Sequence, residues 1–214
     1  MPDSLALYWQ GEELRLHADR AVYWPAQQRL LIADLHLGKA DVFRRAGIAV
    51  PRGGTSHDLG RIDALLEASG ARELFVLGDL LHGPVPDAAW RTRWLEWRAA
   101  RPRLRVAVLA GNHDRRLAAA DLAIEALPAE VEAPPFRLSH LPPPTNDARP
   151  TLCGHLHPVV KVEGVRWPCF WRRGETLVLP AFSAFTGGHA LTPADGWLGV
   201  CVPGAVVPLG PAPR

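Results

Sequence analysis

The sequence has almost no lysine. Lys39 and Lys161 are the only two among 24 basic residues, in a chain of 214 residues with a formal net charge of +2. Arginine suits bidentate contacts with phosphate, but a GC-rich genome produces the same bias and is taken as the default explanation. The near-neutral charge balance does not by itself indicate a nucleic-acid partner.

Cysteine and long apolar runs are also scarce. Cys153, Cys169 and Cys201 form no CxxC pair, which argues against a disulfide framework or a thiolate zinc site. No apolar run approaches the roughly 20 residues that span a bilayer, and the N-terminus shows no signal-peptide pattern. We therefore expect a cytoplasmic protein without a membrane segment, folded as a single domain over residues 1–214.

Short apolar runs, predicted as strands, alternate with helical segments along the first two thirds of the chain. Runs such as LFVLGD and RVAVLAGN are almost wholly apolar, as expected for strands buried on both faces. Helices are predicted over 56–69, 88–100 and 117–127. Trp90, Trp94 and Trp97 share one helical face, which favours packing over base stacking. The pattern predicts an α/β fold in which two packed sheets are flanked by helices.

Polar residues stand at the ends of five apolar runs. They are Asp34 and His36 after RLLI, Asp79 in LFVLGD, Asn112, His113 and Asp114 in RVAVLAGNHD, His140 in FRLSH, and His155 and His157 in CGHLHP. Ligands bind beyond the carboxyl ends of strands in open α/β sheets, so these side chains should meet at one edge. Imidazole and carboxylate donors without thiolate suit manganese, iron or zinc.

Each of these short motifs is weak in isolation, because a single Asp or His is more often a cap, a turn residue or a surface histidine. Glycines precede several of the candidates, at Gly78, Gly111 and Gly154, where close backbone approach needs a missing side chain. The ordered set, with each member at the end of an apolar run, is improbable by chance. We therefore interpret the set as a metal site.

The ordered motifs resemble those of the calcineurin-like metallophosphoesterase superfamily from Leu31 to His157. The longer stretches ADLHLGKADVFRRAGIAVP, LGDLLHG and WPCFWRRGETLVLPAFSAFTGG resemble the ligase-associated DNA-damage-response endonucleases of the PdeM type. The resemblance implies a four-layer αββα sandwich with two mixed sheets. It also implies two divalent metal ions, manganese first, with iron or zinc as alternatives.

The resemblance also implies roles for individual residues. Asp34, His36 and His157 would bind one metal, Asn112, His140 and His155 the other, and Asp79 would bridge both. His113 would act on the substrate as an acid or electrostatic stabiliser, so His113 and Asp79 are the predicted catalytic residues. His140 is the weakest match, because Ser139 rather than glycine precedes it. Asp114 would either orient His113 or cap the following helix.

The implied reaction is hydrolysis of a phosphodiester by a hydroxide that bridges the two metals. Predicted substrate contacts are Lys39, Arg45, His82 and Arg115. The resemblance implies single-stranded DNA as substrate and an association with DNA ligase, helicase and exonuclease. Two alternatives stay open, namely a phosphoesterase for a small nucleotide or phosphomonoester, and a non-catalytic metal-bearing scaffold of a repair complex.

Overall fold

The computed structural model describes residues 3–50, 53–82, 89–114, 117, 121–144, 147–184 and 186–210. Within them, a first sheet follows the order of the chain. Its strands are β1 (Ser4–Trp9), β2 (Glu12–His17), β3 (Ala21–Trp24), β4 (Arg29–Ile32), β5 (Glu73–Val76), β6 (Arg105–Leu109) and β7 (Glu125–Leu127). Neighbours from β1 to β4 are antiparallel, and neighbours from β4 to β7 are parallel.

A second sheet takes up the remaining described strands. They are β8 (Glu130–Ala133), β9 (Phe136–Ser139), β10 (Thr151–Cys153), β11 (Pro158–Val162), β12 (Val165–Arg173), β13 (Thr176–Val178), β14 (His189–Leu191), β15 (Trp197–Val202) and β16 (Ala205–Leu209). Their order is β14-β11-β12-β13-β10-β9-β8, with β15 on the long strand β12 and β16 on β15. Strands β9, β10 and β13 are parallel, so this sheet is also mixed.

Three α-helices lie in the described part of the chain: α1 (Lys39–Arg45), α2 (Gly54–Ser69) and α3 (Ala89–Ala99). Helix α2 begins two residues before the predicted start and ends, as predicted, at Gly70, whose φ is +68°. The helix predicted over 117–127 is wrong in its described part, because Glu125–Leu127 form strand β7. Pairing with β6 in the sheet overrides the local helical pattern there.

The core of the described residues consists of three hydrophobic clusters. Helices α2 and α3 pack on the outer face of the first sheet, where Trp90, Trp94 and Trp97 are buried, as the tryptophan spacing predicts. A second cluster, including Leu31, Phe75 and Phe136, fills the space between the sheets. A smaller cluster lies on strands of the second sheet around Cys169 and Leu198. The predicted α/β sandwich of two mixed sheets flanked by helices is confirmed.

The structure shows the state of the cysteines and the hydrophobicity of the described helices. All three cysteines are free and buried. Among the described helices, none combines the length and hydrophobicity that crossing a membrane requires.

Candidate metal centre

The candidate ligands follow neighbouring parallel strands at their carboxyl ends. In the first sheet, the loops after β4, β5 and β6 carry them, and in the second sheet the loops after β9 and β10 do. Backbone hydrogen bonds tie these loops to one another. The N–H of His36 donates to the carbonyl of Asp79 at 2.9 Å, and the N–H of Gly154 donates to that of His140 at 3.2 Å. The predicted meeting of these ends is therefore present in the backbone itself.

The backbone at the centre is strained in an unusual number of positions. Five candidate ligands adopt left-handed backbone angles: Asp34 (φ +55°), His36 (+49°), Asp79 (+51°), His155 (+73°) and His157 (+50°). A non-glycine residue held there costs about 1–3 kcal/mol and persists only where the surroundings enforce it. Because such strain concentrates at functional sites, its recurrence at five of the proposed ligands supports their assignment.

The first cluster is formed by Asp34, His36 and His157. One ligand atom from each lies within 4.8 Å of the others, and the His157 Nε2 to Asp34 Oδ1 distance is 3.4 Å. Asp34 Oδ1, His36 Nε2 and His157 Nε2 are all buried, and none has a hydrogen-bond partner among the described residues. An unsatisfied buried polar atom costs about 1–3 kcal/mol. Three such atoms within one cluster are the arrangement expected of ligands to a cation.

The two histidines of the first cluster differ in their tendency to bind a proton. The Nδ1 atom of His157 lies 3.1 Å from the carbonyl of Gly187, which can only accept, so Nδ1 carries the proton and Nε2 offers its lone pair. Burial lowers the pKa of His36 to about 2 and keeps the imidazole neutral. Burial also lowers the pKa of His157, but the Asp34 carboxylate outweighs it and leaves that pKa above its ordinary value.

The second cluster is formed by Asp79, His140 and His155, again with ligand atoms within 4.8 Å. The Nδ1–H of His140 donates to the carbonyl of Leu77 at 3.0 Å, which turns Nε2 towards the cluster. Nε2 of His140 lies 3.2 Å from Nδ1 of His155. Burial lowers the pKa of His155 and so favours the neutral ligand form.

Asp79 lies between the two clusters. Its Oδ2 is 3.9 Å from His36 Nε2 in the first cluster, and its Oδ1 is 3.6 Å from His140 Nε2 in the second. Oδ1 also accepts the backbone N–H of His113 at 2.9 Å. A carboxylate that presents one oxygen to each cluster has the geometry of a bridging ligand.

The predicted glycines are required by close approach. A Cβ on Gly78 would collide with the His140 ring, and one on Gly111 would collide with Asp79. A Cβ on Gly154 would lie 2.7 Å from Ala33 Cβ and 2.9 Å from Asp34 Oδ2. Gly78 also has φ +82°. The absence of a side chain at these positions lets the ligands pack against backbone.

The loop after β6 carries the remaining predicted residues of the centre. Asn112 and His113 are exposed there. The His113 ring stacks on the His82 ring at 5.1 Å and lies 5.4 Å from the His36 ring. His113 and His82 thus share the open side of the first cluster, while the roles of Asn112 and His113 stay predictions.

Asp114 hydrogen-bonds to two loops of the centre, whereas its predicted cap on the following segment lies largely outside the described residues. Its buried carboxylate accepts the backbone N–H groups of Leu81 at 2.9 Å, Leu80 at 3.3 Å and Gly111 at 3.0 Å. Burial raises its pKa. Asp114 therefore ties the loop after β5 to the loop after β6 and holds Asp79 and His113 in register. The sequence motif alone could not show this, because two of the three donors, Leu80 and Leu81, lie 34 and 33 residues earlier in the chain.

The predicted substrate contacts are placed unevenly. Lys39 starts α1, where burial lowers its pKa against the opposing attraction of Asp34 and Asp79. Arg45 is exposed at the end of the same helix, and Arg115 lies outside the described residues. The Gly187 carbonyl, which orients His157, is a contact that the sequence pattern did not indicate, because a glycine pair there reads only as a turn.

Comparisons with known proteins agree with this geometry. The model of the calcineurin-like phosphoesterase family matches residues 29–177, which include both clusters. The chain is similar to the solved Pseudomonas putida nuclease MPE, with 36% identity and a TM-score of 0.82, over 96% of this chain and 100% of that one. It is more distantly similar to Yfce, a phosphoesterase from E. coli (22% identity, TM-score 0.45, over 80% and 86%). A search of curated proteins finds no match.

Proposed function

Since this chain belongs to the calcineurin-like phosphoesterase family and is a metal-dependent phosphoesterase, we propose that it is a two-metal nuclease acting on single-stranded DNA. The proposal includes a place in a ligase-associated repair pathway, with DNA ligase, helicase and exonuclease as functional partners. A cytoplasmic location belongs to the same proposal and is supported by three free, buried cysteines. Manganese is the proposed metal, with iron or zinc as alternatives.

The placement of Asp79 carries the proposal. Its two oxygens face different clusters, 3.9 Å from His36 Nε2 and 3.6 Å from His140 Nε2. In this assignment Asp34, His36 and His157 hold one ion, His140 and His155 hold the other, and Asn112 completes the second set. The buried atoms without partners in the first cluster fit this role. When bound, the ions supply an activated water and Lewis-acid stabilisation of charge on the phosphoryl oxygens.

The chain's own residues would then orient the substrate and move the proton. His113 lies on the exposed side of the centre, stacked on His82. We assign it the proton delivered to the leaving oxygen, with His82 and Lys39 as contacts for the phosphate. Lys39 is half-buried near Asp34 and Asp79, so its positive charge acts in a partly desolvated space, where it is worth more than in water.

A nucleic-acid substrate is supported by similarity to a nuclease over 96% of this chain and 100% of that one. The long motifs around Lys39, His82 and Trp171 resemble ligase-associated endonucleases and support the pathway. A small-nucleotide or monoester substrate would use the same centre and is an outcome of the test. The non-catalytic scaffold is set aside, because the chain is a phosphoesterase.

A substrate panel tests the proposal. The purified protein with manganese is assayed on single-stranded DNA, duplex DNA, a chromogenic diester and a chromogenic monoester. We expect cleavage of single-stranded DNA and of the diester, with the affinity for DNA falling steeply as salt rises. Hydrolysis of the monoester alone, or DNA affinity that does not respond to salt, would overturn the choice of substrate. Repeating the panel with iron and with zinc tests the choice of metal.

A further inference from the structure

A cavity of about 270 Å³ opens beside the metal centre and shares His157 with it. Its lining includes Val159, Pro168 and Arg166 of the β11–β12 hairpin, together with Ala181, Ala184 and residues 186–188. The His157 ring is held by the Gly187 carbonyl, which belongs to the same lining. The cavity therefore adjoins the first metal cluster through His157, whose Nδ1 faces Gly187 and whose Nε2 faces Asp34.

The permanently charged residues among the described lining of this cavity are both basic. Arg20 and Arg166 line it, and its described lining residues include no carboxylate. Arg20 has φ +65° and donates to the carbonyl of Ser183 at 3.2 Å, so its guanidinium is fixed at the wall. Arg166 is exposed. The remaining lining is mainly apolar or glycine. Two arginines over an apolar wall suit a ligand with a phosphate and a flat or apolar body.

The hairpin extends this basic face away from the metals. In the β11–β12 register Val159 is opposite Pro168, and Lys161 is opposite Arg166. Alternate residues of a strand share a face, so Lys161 lies on the same face as Val159, which lines the cavity. Lys161 and Arg166 are exposed, and like charges directly opposite each other destabilise a strand pair. Their pairing therefore works against stability and favours a role with an anionic ligand.

The reach of this face favours a polymer over a mononucleotide. Lys161 lies four residues beyond His157, about 13 Å along an extended chain at roughly 3.3 Å per residue. Single strands carry a phosphate with each nucleotide, so a chain passing from the metal centre to Lys161 would place more than one phosphate along it. A cavity of about 270 Å³ is below the usual ~300–1,000 Å³ range of small-molecule pockets. It therefore suits one unpaired nucleotide rather than a base pair.

We propose that this cavity, with Lys161 and Arg166 of the hairpin, is the subsite for nucleotides flanking the scissile phosphate in a single-stranded polynucleotide. The inference rests on the proposed nuclease function and extends it. Arg166 and Lys161 contact backbone phosphates, and the wall of Val159, Pro168 and Ala181 contacts a sugar or base. This subsite gives the enzyme its preference for a polymer over a small phosphodiester.

The test compares Arg166→Gln with Arg103→Gln. Arg103 is also exposed, but it precedes β6 at the opposite end of the first sheet. Both variants are made in the full chain carrying Asp79→Asn, so that the DNA is not cleaved. Binding of a fluorescein-labelled single-stranded oligonucleotide is followed by anisotropy at several salt concentrations. We expect Arg166→Gln to weaken binding about fivefold, as for one exposed charge contact, and to reduce the log–log salt slope by about 0.7.

The two proposals fail separately. Equal affinity and equal salt slope for the Arg166 and Arg103 variants would overturn the subsite, whatever the enzyme cleaves. If the wild-type protein with manganese hydrolyses a chromogenic diester but no polynucleotide, the nuclease proposal fails, and the anisotropy data still decide whether the hairpin binds an anionic strand. With active wild-type chains, Arg166→Gln should also lower the ratio of kcat/KM for the oligonucleotide to that for the small diester.

Discussion

The two ends of the parallel strands in the first sheet treat charge in opposite ways. At the amino ends, residues of alternating sign form a ladder across four neighbouring strands, with N···O distances of 2.7, 2.9 and 2.8 Å. The ladder consists of Arg29, Glu73, Arg105 and Glu125. At the carboxyl ends, Asp34 and His36 are buried, and each keeps an atom without a partner among the described residues. Charged groups thus pair with one another at the amino ends of the strands, whereas some buried polar atoms have no partner at the carboxyl ends.

This contrast separates stability from function. A partly exposed ion pair contributes about 0–1 kcal/mol, whereas a buried carboxylate without a partner costs several. The same fold has arginines available to pair acidic groups, as the ladder shows, yet within the described part of the chain no arginine forms an ion pair with Asp34 or Asp79. The carboxyl ends of the strands are therefore the place where the fold requires a cation from outside the chain.

The largest effect should come from Asp79→Asn. The amide keeps the shape and an acceptor for the His113 N–H, but it loses the charge that faces both clusters. We expect kcat/KM on a chromogenic diester with manganese to fall about 1,000-fold or more, at or above the upper end of the range for losing one stabilising donor. The unfolding temperature of the metal-free variant should be no lower than that of the metal-free wild type, because a buried charge is removed.

Near-normal turnover of Asp79→Asn would contradict the two-metal assignment. Circular dichroism provides the fold control. Added manganese should raise the unfolding temperature of the wild type, since an ion that binds the folded state alone stabilises it, and should do so less in the variant.

A smaller effect is expected when the backbone beneath the second cluster is changed. In Gly78→Ala the new Cβ would collide with the His140 ring at a position with φ +82°. Displacing a catalytic ligand by about 1 Å can cost roughly 100-fold in rate, and we expect a loss of that order with weaker binding of the second metal. Kinetics and the metal stoichiometry of the purified variant measure both.

Gly70→Ala is the matched control for that variant. Gly70 has φ +68°, and a Cβ there would meet nothing within 4 Å. This change should cost about 1–2 kcal/mol of unfolding free energy from left-handed strain alone, with kcat/KM near that of the wild type. If the two glycine variants lost activity equally, the contact with His140 would not explain the requirement at Gly78.

The smallest effect on activity is expected from a substitution in the charged ladder at the amino ends of the strands. Burial alone raises the Glu73 pKa, but hydrogen bonds from Arg105 and Arg29 outweigh it and leave that pKa below its ordinary value. A depressed folded-state pKa contributes stability that is present above the unfolded pKa of about 4.3. That stability is lost as pH falls through the folded pKa. Glu73→Gln should therefore cost about 1 kcal/mol at pH 7 and leave turnover unchanged.

Urea unfolding between pH 7 and pH 3 measures the effect of Glu73→Gln. The difference in unfolding free energy between wild type and variant should shrink towards acid pH. A difference that stayed constant, or a loss of activity at pH 7, would mean that the ladder does more than stabilise the amino ends of the strands.

Much of the centre could be predicted because its chemistry is local in the chain. Asp34, Asp79 and His140 each end a short apolar run, and a run of that length bounded by turn residues is consistent with a buried strand. The tryptophan stripe of α3 was predicted correctly for the same reason, since its spacing already describes one packed face. The helix predicted after Leu117 was wrong because strand β7 owes its conformation to pairing with β6, which no local pattern contains.

Asp114 and the hairpin cavity show where the sequence stops being informative. From the sequence, Asp114 is typical of a residue that caps a helix. It accepts the N–H groups of Leu80 and Leu81 only because the loop after β5 lies next to it in the folded protein. Likewise, Arg20 and Arg166 are 146 positions apart, and nothing in either neighbourhood indicates a shared cavity. Contacts of this separation are set by how the two sheets pack, not by residue patterns.

The sequence by itself determined the ligand types, their positions at strand ends and the glycines that precede them, because strand burial and metal preference act on local residue types. Only the tertiary structure decided the distances within each cluster, which oxygen of Asp79 faces which cluster, and which buried atoms remain without a partner. These features depend on the relative placement of two sheets, and that placement arises from packing contacts summed over the whole core.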